Sequence, residues 1–244
     1  MAPMVHWPEV MVTYEQSEKI LFSADGFGKF GTVQEDWEDE ARRYYLNIVG
    51  KYGTNVQALL AKASKLDIEK ICPLHGPILE ENLEYYINKY DIWSSYRPEE
   101  DGVLVAYASI HGNTEKVAKK FVEILNNKGA KKVELVDLAR ADISETLADA
   151  FKFDKMVVAS STYNMEIFTW MDHFIRHLAS KNYQKRKVGI IENGTWAPNS
   201  GKLMKEAFSK MKDITICDTM VTIKSALKET DIPSLEKLAE EILE

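Results

Sequence analysis

Three polar stretches carry the side chains and glycines that could hold a phosphorylated, flat-ringed ligand. The first is Ser109-Ile110-His111-Gly112-Asn113-Thr114-Glu115. Hydroxyls at Ser109 and Thr114 can bind phosphate oxygens, and Gly112 permits close backbone approach. A helix opening at this point would turn free amides and its positive dipole end toward a dianion. The stretch has no lysine, so it is not the GxxxxGK[ST] nucleotide loop, and it lacks the GxGxxG dinucleotide fingerprint. Taken alone it also reads as a helix cap with no ligand. The second stretch, Ser160-Ser161-Thr162-Tyr163-Asn164-Met165, offers hydroxyls to a polyol chain or ring edge and, at Tyr163, a face for stacking. The alternative is a surface loop whose tyrosine covers a helix end. The third is Glu192-Asn193-Gly194-Thr195-Trp196-Ala197-Pro198. Here Gly194 lets backbone amides face a ring, and Trp196 is either a stacking face or a core residue. A fourth pattern, His173 and His177 at i, i+4 beside Asp172, places two imidazoles on one predicted helix face. These can pair as ligands, and the reading adopted for them is surface residues.

The elements around these stretches alternate strand and helix. Val103–Tyr107 is a short apolar run of the kind buried on both faces of a sheet. A helix is expected from Thr114 to Asn127, with Val117, Phe121, Ile124 and Leu125 on one face and Gly129 as its C-terminal cap. Strands follow at 132–138, 155–160, 187–191 and 214–223, separated by helices at 144–150, 168–180, 201–211 and 233–243. Five strands with crossover helices imply a doubly wound parallel sheet, which binds ligands at the carboxyl ends of its strands. The three stretches fall at such ends. Upstream, a hairpin is expected from 10–14 and 19–23, helices at 37–49, 55–65 and 80–90, and a brief strand at 69–72. The polar, Pro- and Gly-containing segment from Ser94 to Gly102 is the expected boundary, giving domains 1–96 and 97–244. Met1 to His6 lead straight into an apolar, strand-like segment, as expected of a chain that begins partway through a domain.

Composition narrows the function classes. A formal net charge of −7 argues against a nucleic-acid surface. No apolar run approaches the length of a membrane span, and the N-terminus lacks the pattern of a secretory leader. Cys72 and Cys217 form no CxxC pair and are expected to be free thiols in a reducing cytoplasm.

The stretch SIHGNTE after a first strand resembles the phosphate motif of flavodoxins, with His111 where a hydroxyl residue is usual. SSTYN and ENGTWAP resemble the later loops of the flavodoxin domain of flavodiiron proteins. The resemblance implies non-covalent FMN, with phosphate at Ser109, Ile110, His111, Gly112, Asn113 and Thr114. The ring is then expected near Ser161, Thr162, Tyr163 and Asn164, and near Asn193, Gly194, Thr195, Trp196 and Ala197. Upstream, the segments around His6-Trp7-Pro8, Ser23-Ala24-Asp25-Gly26 and Cys72-Pro73-Leu74-His75 are similar to the later part of that family's metallo-β-lactamase-like domain. By position the resemblance makes His6, Asp25 and His75 iron ligands. The family's remaining ligands come from an HxExDH-type motif, which this chain lacks, so an incomplete metal site is expected.

The expected fold is α/β: a flavodoxin-like doubly wound five-stranded parallel sheet of order 2-1-3-4-5, preceded by a partial metallo-β-lactamase-like segment. The implied function is an FMN oxidoreductase of flavodiiron type that reduces oxygen or nitric oxide at iron. Its implied donor is a rubredoxin or an NAD(P)H-linked reductase, and its implied assembly a head-to-tail homodimer. Two other functions fit the same residues: a one-electron carrier with a non-catalytic upstream remnant, and a quinone or azo reductase. The upstream half, which reductases of the last kind lack, counts against that third reading. With no Lys or Arg in the three loops, a low potential is expected for placing the last electron on the flavin.

Overall fold

The computed structural model describes all 244 residues, which divide into two compact units, Met1–Arg97 and Pro98–Glu244. No helix is long and apolar enough to cross a membrane.

In the first unit, strands β1 (Thr13–Glu15), β2 (Ile20–Ala24) and β3 (Lys70–Pro73) form a sheet in that order. β1 runs antiparallel to β2, and β2 parallel to β3. Helices α1 (Trp37–Ile48), α2 (Gly53–Ala63) and α3 (Leu83–Ser94) complete the unit. Its core is aromatic: Trp37 stacks on Trp93 at 5.8 Å between ring centroids, and Tyr45 and Tyr90 pack beside Trp93. Two expected elements move. The first strand was expected from Val10 and begins at Thr13, because Val10 spends both backbone groups on a local turn with Ala2 and Trp7. The third helix was expected from Glu80 and begins at Leu83, because Leu79 pairs its backbone with Ile71 in both directions and Asn82 is left-handed. The chain is therefore still extended at Leu79, and the helix starts only after the left-handed turn at Asn82.

The second unit runs β4 (Glu100–Ala108), α4 (Asn113–Asn127), β5 (Val133–Asp137), α5 (Ile143–Lys152) and β6 (Phe153–Tyr163). Then follow β7 (Glu166–Ile167), α6 (Thr169–Ser180), β8 (Arg186–Asn193), α7 (Ser200–Ser209), β9 (Ile214–Ile223) and α8 (Ile232–Leu243). The sheet order β5-β4-β6-β8-β9, parallel throughout, is 2-1-3-4-5 in order of appearance, as expected. The two-residue β7, not foreseen, folds back antiparallel on the end of β6.

Val103 to Ala106 are fully buried because helices cover both faces of the sheet. On one face Val117, Phe121 and Leu125 of α4 meet Leu235, Leu238 and Ile242 of α8 over β4, β6 and β9. Burying each such side chain stabilises the unit by about 1.5–3 kcal/mol. α4 ends at Gly129, with φ +85°: Ala130 N–H bonds Leu125 O at 3.0 Å and Gly129 N–H bonds Asn126 O at 3.1 Å. This is the glycine-capped end that the sequence suggests. Strand order reverses between β4 and β6, so a crevice opens at their carboxyl ends.

Candidate functional site

The crevice is built from the carboxyl ends of four strands and the turns that follow them. After β4, the Ser109 hydroxyl accepts the Gly112 N–H at 3.0 Å, and Gly112 takes φ +82°. This curls the backbone so that α4 starts at Asn113, and no side chain caps its first amides. Those amides and the dipole behind them make an anion-binding surface. Thr114, fully buried, places Oγ1 2.9 Å from Ser161 Oγ on the neighbouring strand. Each hydroxyl of this pair keeps acceptor capacity for a ligand. Ile110 and His111 are exposed at the rim.

Near the end of β6, Thr162 does something its sequence position does not reveal. Its Oγ1 accepts the N–H groups of Asn199 and Ser200 at 2.9 and 3.0 Å and so caps α7 across the crevice. A helix start without a cap of its own is thus satisfied from another strand. Asn164 and Met165 both have positive φ and form the two-residue turn into β7, holding the half-exposed Tyr163 beside Phe168.

At the end of β8, the buried Glu192 carboxylate accepts Gly201 N–H and the Thr222 hydroxyl, both at 2.8 Å. Asn193 is bound to Ser225, and Gly194 N–H to Ile223 O at 3.0 Å. Gly194 admits no larger residue, since a Cβ there would stand 2.9 Å from Pro198 Cα. Trp196 is 93% exposed, so the core-packing alternative for it is wrong.

The turn after β9 supplies the residue that sequence reasoning missed. Ser225, at φ +68°, lines the same cavity as Ser109, Thr114 and Asn193, and its hydroxyl meets Asn113 Nδ2 at 3.4 Å. Its signal was available: Lys224-Ser225 directly follows the fifth strand, at the same edge of the sheet as the other loops.

Two hollows share Thr162, Gly194 and Thr195. A cavity of about 160 Å³ lies over Ser109, Thr114 and Asn193. Another of about 300 Å³ is walled by Asn164, Met165, Trp196 and Ala197. Neither is lined by Lys or Arg. The first has hydroxyls and helix amides suited to a phosphate, and the second an exposed aromatic face suited to a ring.

In the first unit, turns bring two of the three proposed metal ligands together. Asp25, nearly buried, has Oδ1 3.4 Å from His75 Nε2 and accepts the Tyr44 hydroxyl at 3.2 Å. Burial, helped by the Asp25 charge, pushes the Tyr44 phenol well above its ordinary pKa. The two turns lie close because Gly28 intervenes: a Cβ there would stand 3.1 Å from Asp25 O and 3.3 Å from His75 O. His6 does not complete the set; its ring packs on Trp7, and no group of three or more His, Cys, Asp or Glu with metal-holding geometry exists in the structure. Of the expected trio of His6, Asp25 and His75, the structure brings Asp25 and His75 together. An aspartate and one histidine cannot hold two metal ions, and the residues present do not fit a di-iron centre.

Residues 104–228 match the flavodoxin domain family. The chain belongs to that family, within the flavodiiron proteins. It is 26% identical to the anaerobic nitric oxide reductase flavorubredoxin of Aliivibrio fischeri over 92% of its own length and 47% of the relative's. A flavo di-iron protein variant of Thermotoga maritima superposes with a TM-score of 0.83 at 27% identity, over all of this chain and 63% of that one. The rubredoxin oxygen:oxidoreductase of Desulfovibrio gigas superposes at 0.92, with 24% identity over 99% of this chain and 63% of that one, which shows the shared fold. The chain thus spans about half to under two thirds of the length of these relatives. Family membership confirms the expected fold, and with it the sheet that positions the crevice.

Proposed function

We propose that the second unit binds FMN in the crevice and that the chain is the electron-delivering part of a flavodiiron-type oxidoreductase. The observation that carries this is the junction of the two hollows: uncapped α4 amides with Ser109 and Thr114 at one end, and Trp196 with the Asn164 turn at the other. Bound FMN accepts electrons in pairs and releases them singly. Ser109, Gly112, Asn113 and Thr114 hold the phosphate end. Asn193 and Gly194 line the crevice between the two ends, and Tyr163 and Trp196 offer faces that shield the ring from water.

Supporting the flavodiiron reading are the relatives that bear that name and the Asp25–His75 pair at turns the resemblance makes ligand-bearing. A rubredoxin-type or NAD(P)H-linked donor and a head-to-tail homodimer follow from the same relationship. So does a cytoplasmic setting, with which the two free thiols agree. The first unit assembles no group of three or more His, Cys, Asp or Glu to hold iron.

That last observation favours a second reading, a flavin electron carrier whose first unit has no metal role. The net charge of −7 suits docking to a basic redox partner. Joint measurement of FMN and iron in the purified chain tests both. FMN near one per chain with little iron is the expected result. Absence of FMN after reconstitution overturns the proposal, and iron near two per chain with rapid oxygen or nitric oxide reduction overturns the account of the first unit.

A further inference from the structure

His173 and His177 stand one turn apart on α6, with their Nε2 atoms 2.8 Å from each other and their rings inclined at 82°. His173 is exposed and His177 half-buried, while Phe174, Ile175 and Leu178 anchor the helix in the core. The nearest acid on the helix is engaged elsewhere, Asp172 bonding Arg176 at 2.7 Å. The flavin site uses neither histidine.

Two imidazoles in this arrangement share one hydrogen bond only if one nitrogen carries a proton and the other a lone pair. Both nitrogens can instead give lone pairs to one cation. With metal–nitrogen bonds of about 2.0–2.1 Å, two ligands at a right angle lie about 2.9 Å apart, and two in a tetrahedron about 3.3 Å. The observed 2.8 Å matches the right angle. Square-planar and octahedral ions therefore fit better than tetrahedral zinc. No third His, Cys, Asp or Glu joins the pair, so water would fill the remaining positions.

We propose that His173 and His177 form a bidentate surface site for a late first-row divalent cation, binding Cu(II) more tightly than Ni(II), and Ni(II) more tightly than Zn(II). The ion ties successive turns of α6 together and so favours the folded helix. Pairing at i, i+4 fixes the spacing, so the site is built from the helix itself rather than from a loop.

The test is calorimetric titration of the full, FMN-loaded chain with Cu(II), Ni(II) and Zn(II) in a weakly coordinating buffer, with copper EPR on the same samples. One copper bound with nitrogen coupling is expected. H173A and H177A should each weaken that copper at least tenfold, and the double variant should lose it. Should the alanine variants unfold, H173Q and H177Q keep a good helix former and a polar side chain and should behave the same way. Unchanged copper affinity and EPR spectrum in the double variant would overturn the proposal, as would zinc binding more tightly than nickel. Neither result depends on what the flavin site does.

Discussion

Asn193, the last residue of β8, and Ser225, on the turn after β9, exchange two hydrogen bonds: Ser225 N–H donates to Asn193 Oδ1 at 3.0 Å and Asn193 Nδ2 donates to Ser225 O at 2.9 Å. The Ser225 hydroxyl in turn meets Asn113 at the start of α4. One side chain thereby ties the ends of β8 and β9 to the start of α4. Asn193→Ala removes both bonds, each worth about 1 kcal/mol, and frees Ser225 from its left-handed conformation. Fluorescence titration of the flavin-free chain should show FMN affinity lowered about tenfold, since 1.4 kcal/mol is a factor of ten. Unchanged affinity would mean that the turn after β9 plays no part in binding.

Thr114→Val keeps the shape of a buried side chain and removes the hydroxyl that faces Ser161. If that hydroxyl serves the phosphate, FMN binding weakens about tenfold, the loss of a charge-assisted hydrogen bond. Riboflavin, which has no phosphate, should bind both forms alike. Equal weakening of the two ligands would assign Thr114 a purely structural role.

Asp101 bonds Lys131 at 2.6 Å and Lys155 at 2.7 Å, and these ammonium groups lower its carboxyl pKa to about 2. A lowered pKa in the folded chain stabilises above the unfolded value of about 4, and the contribution disappears as the pH falls toward 2. The side chain is half exposed, so solvent screening keeps the effect below about 1 kcal/mol. Thermal unfolding of Asp101→Asn should therefore lie slightly below the parent at pH 7 and merge with it near pH 2. A difference that persists or grows in acid would count against the pairing.

Cys217 is buried, and that burial, with the nearby Glu241 carboxylate, pushes its thiol up to about 12. Cys72 is only partly buried. The thiolate is the reactive form, so iodoacetamide at pH 8 should label Cys72 well before Cys217, as peptide mass mapping would show. Equal rates would indicate that the edge of the sheet at β9 opens readily.

Much of the second unit was legible in the residues themselves. Val103–Tyr107 reads as a buried strand because an uninterrupted apolar run suits a sheet covered on both faces. Gly129 marks a helix end because it takes a left-handed turn without a Cβ clash. Ser109 and Gly112 mark the turn into α4 because local sequence alone sets it. The tertiary structure alone decided which loop partners which. Thr162 caps α7, Ser225 joins the crevice, Trp196 stays in solvent, and Asp25 meets His75. The reason is physical: strands, caps and turns arise from neighbours along the chain, whereas these contacts join residues that are distant in sequence and meet only when the sheet sets its register.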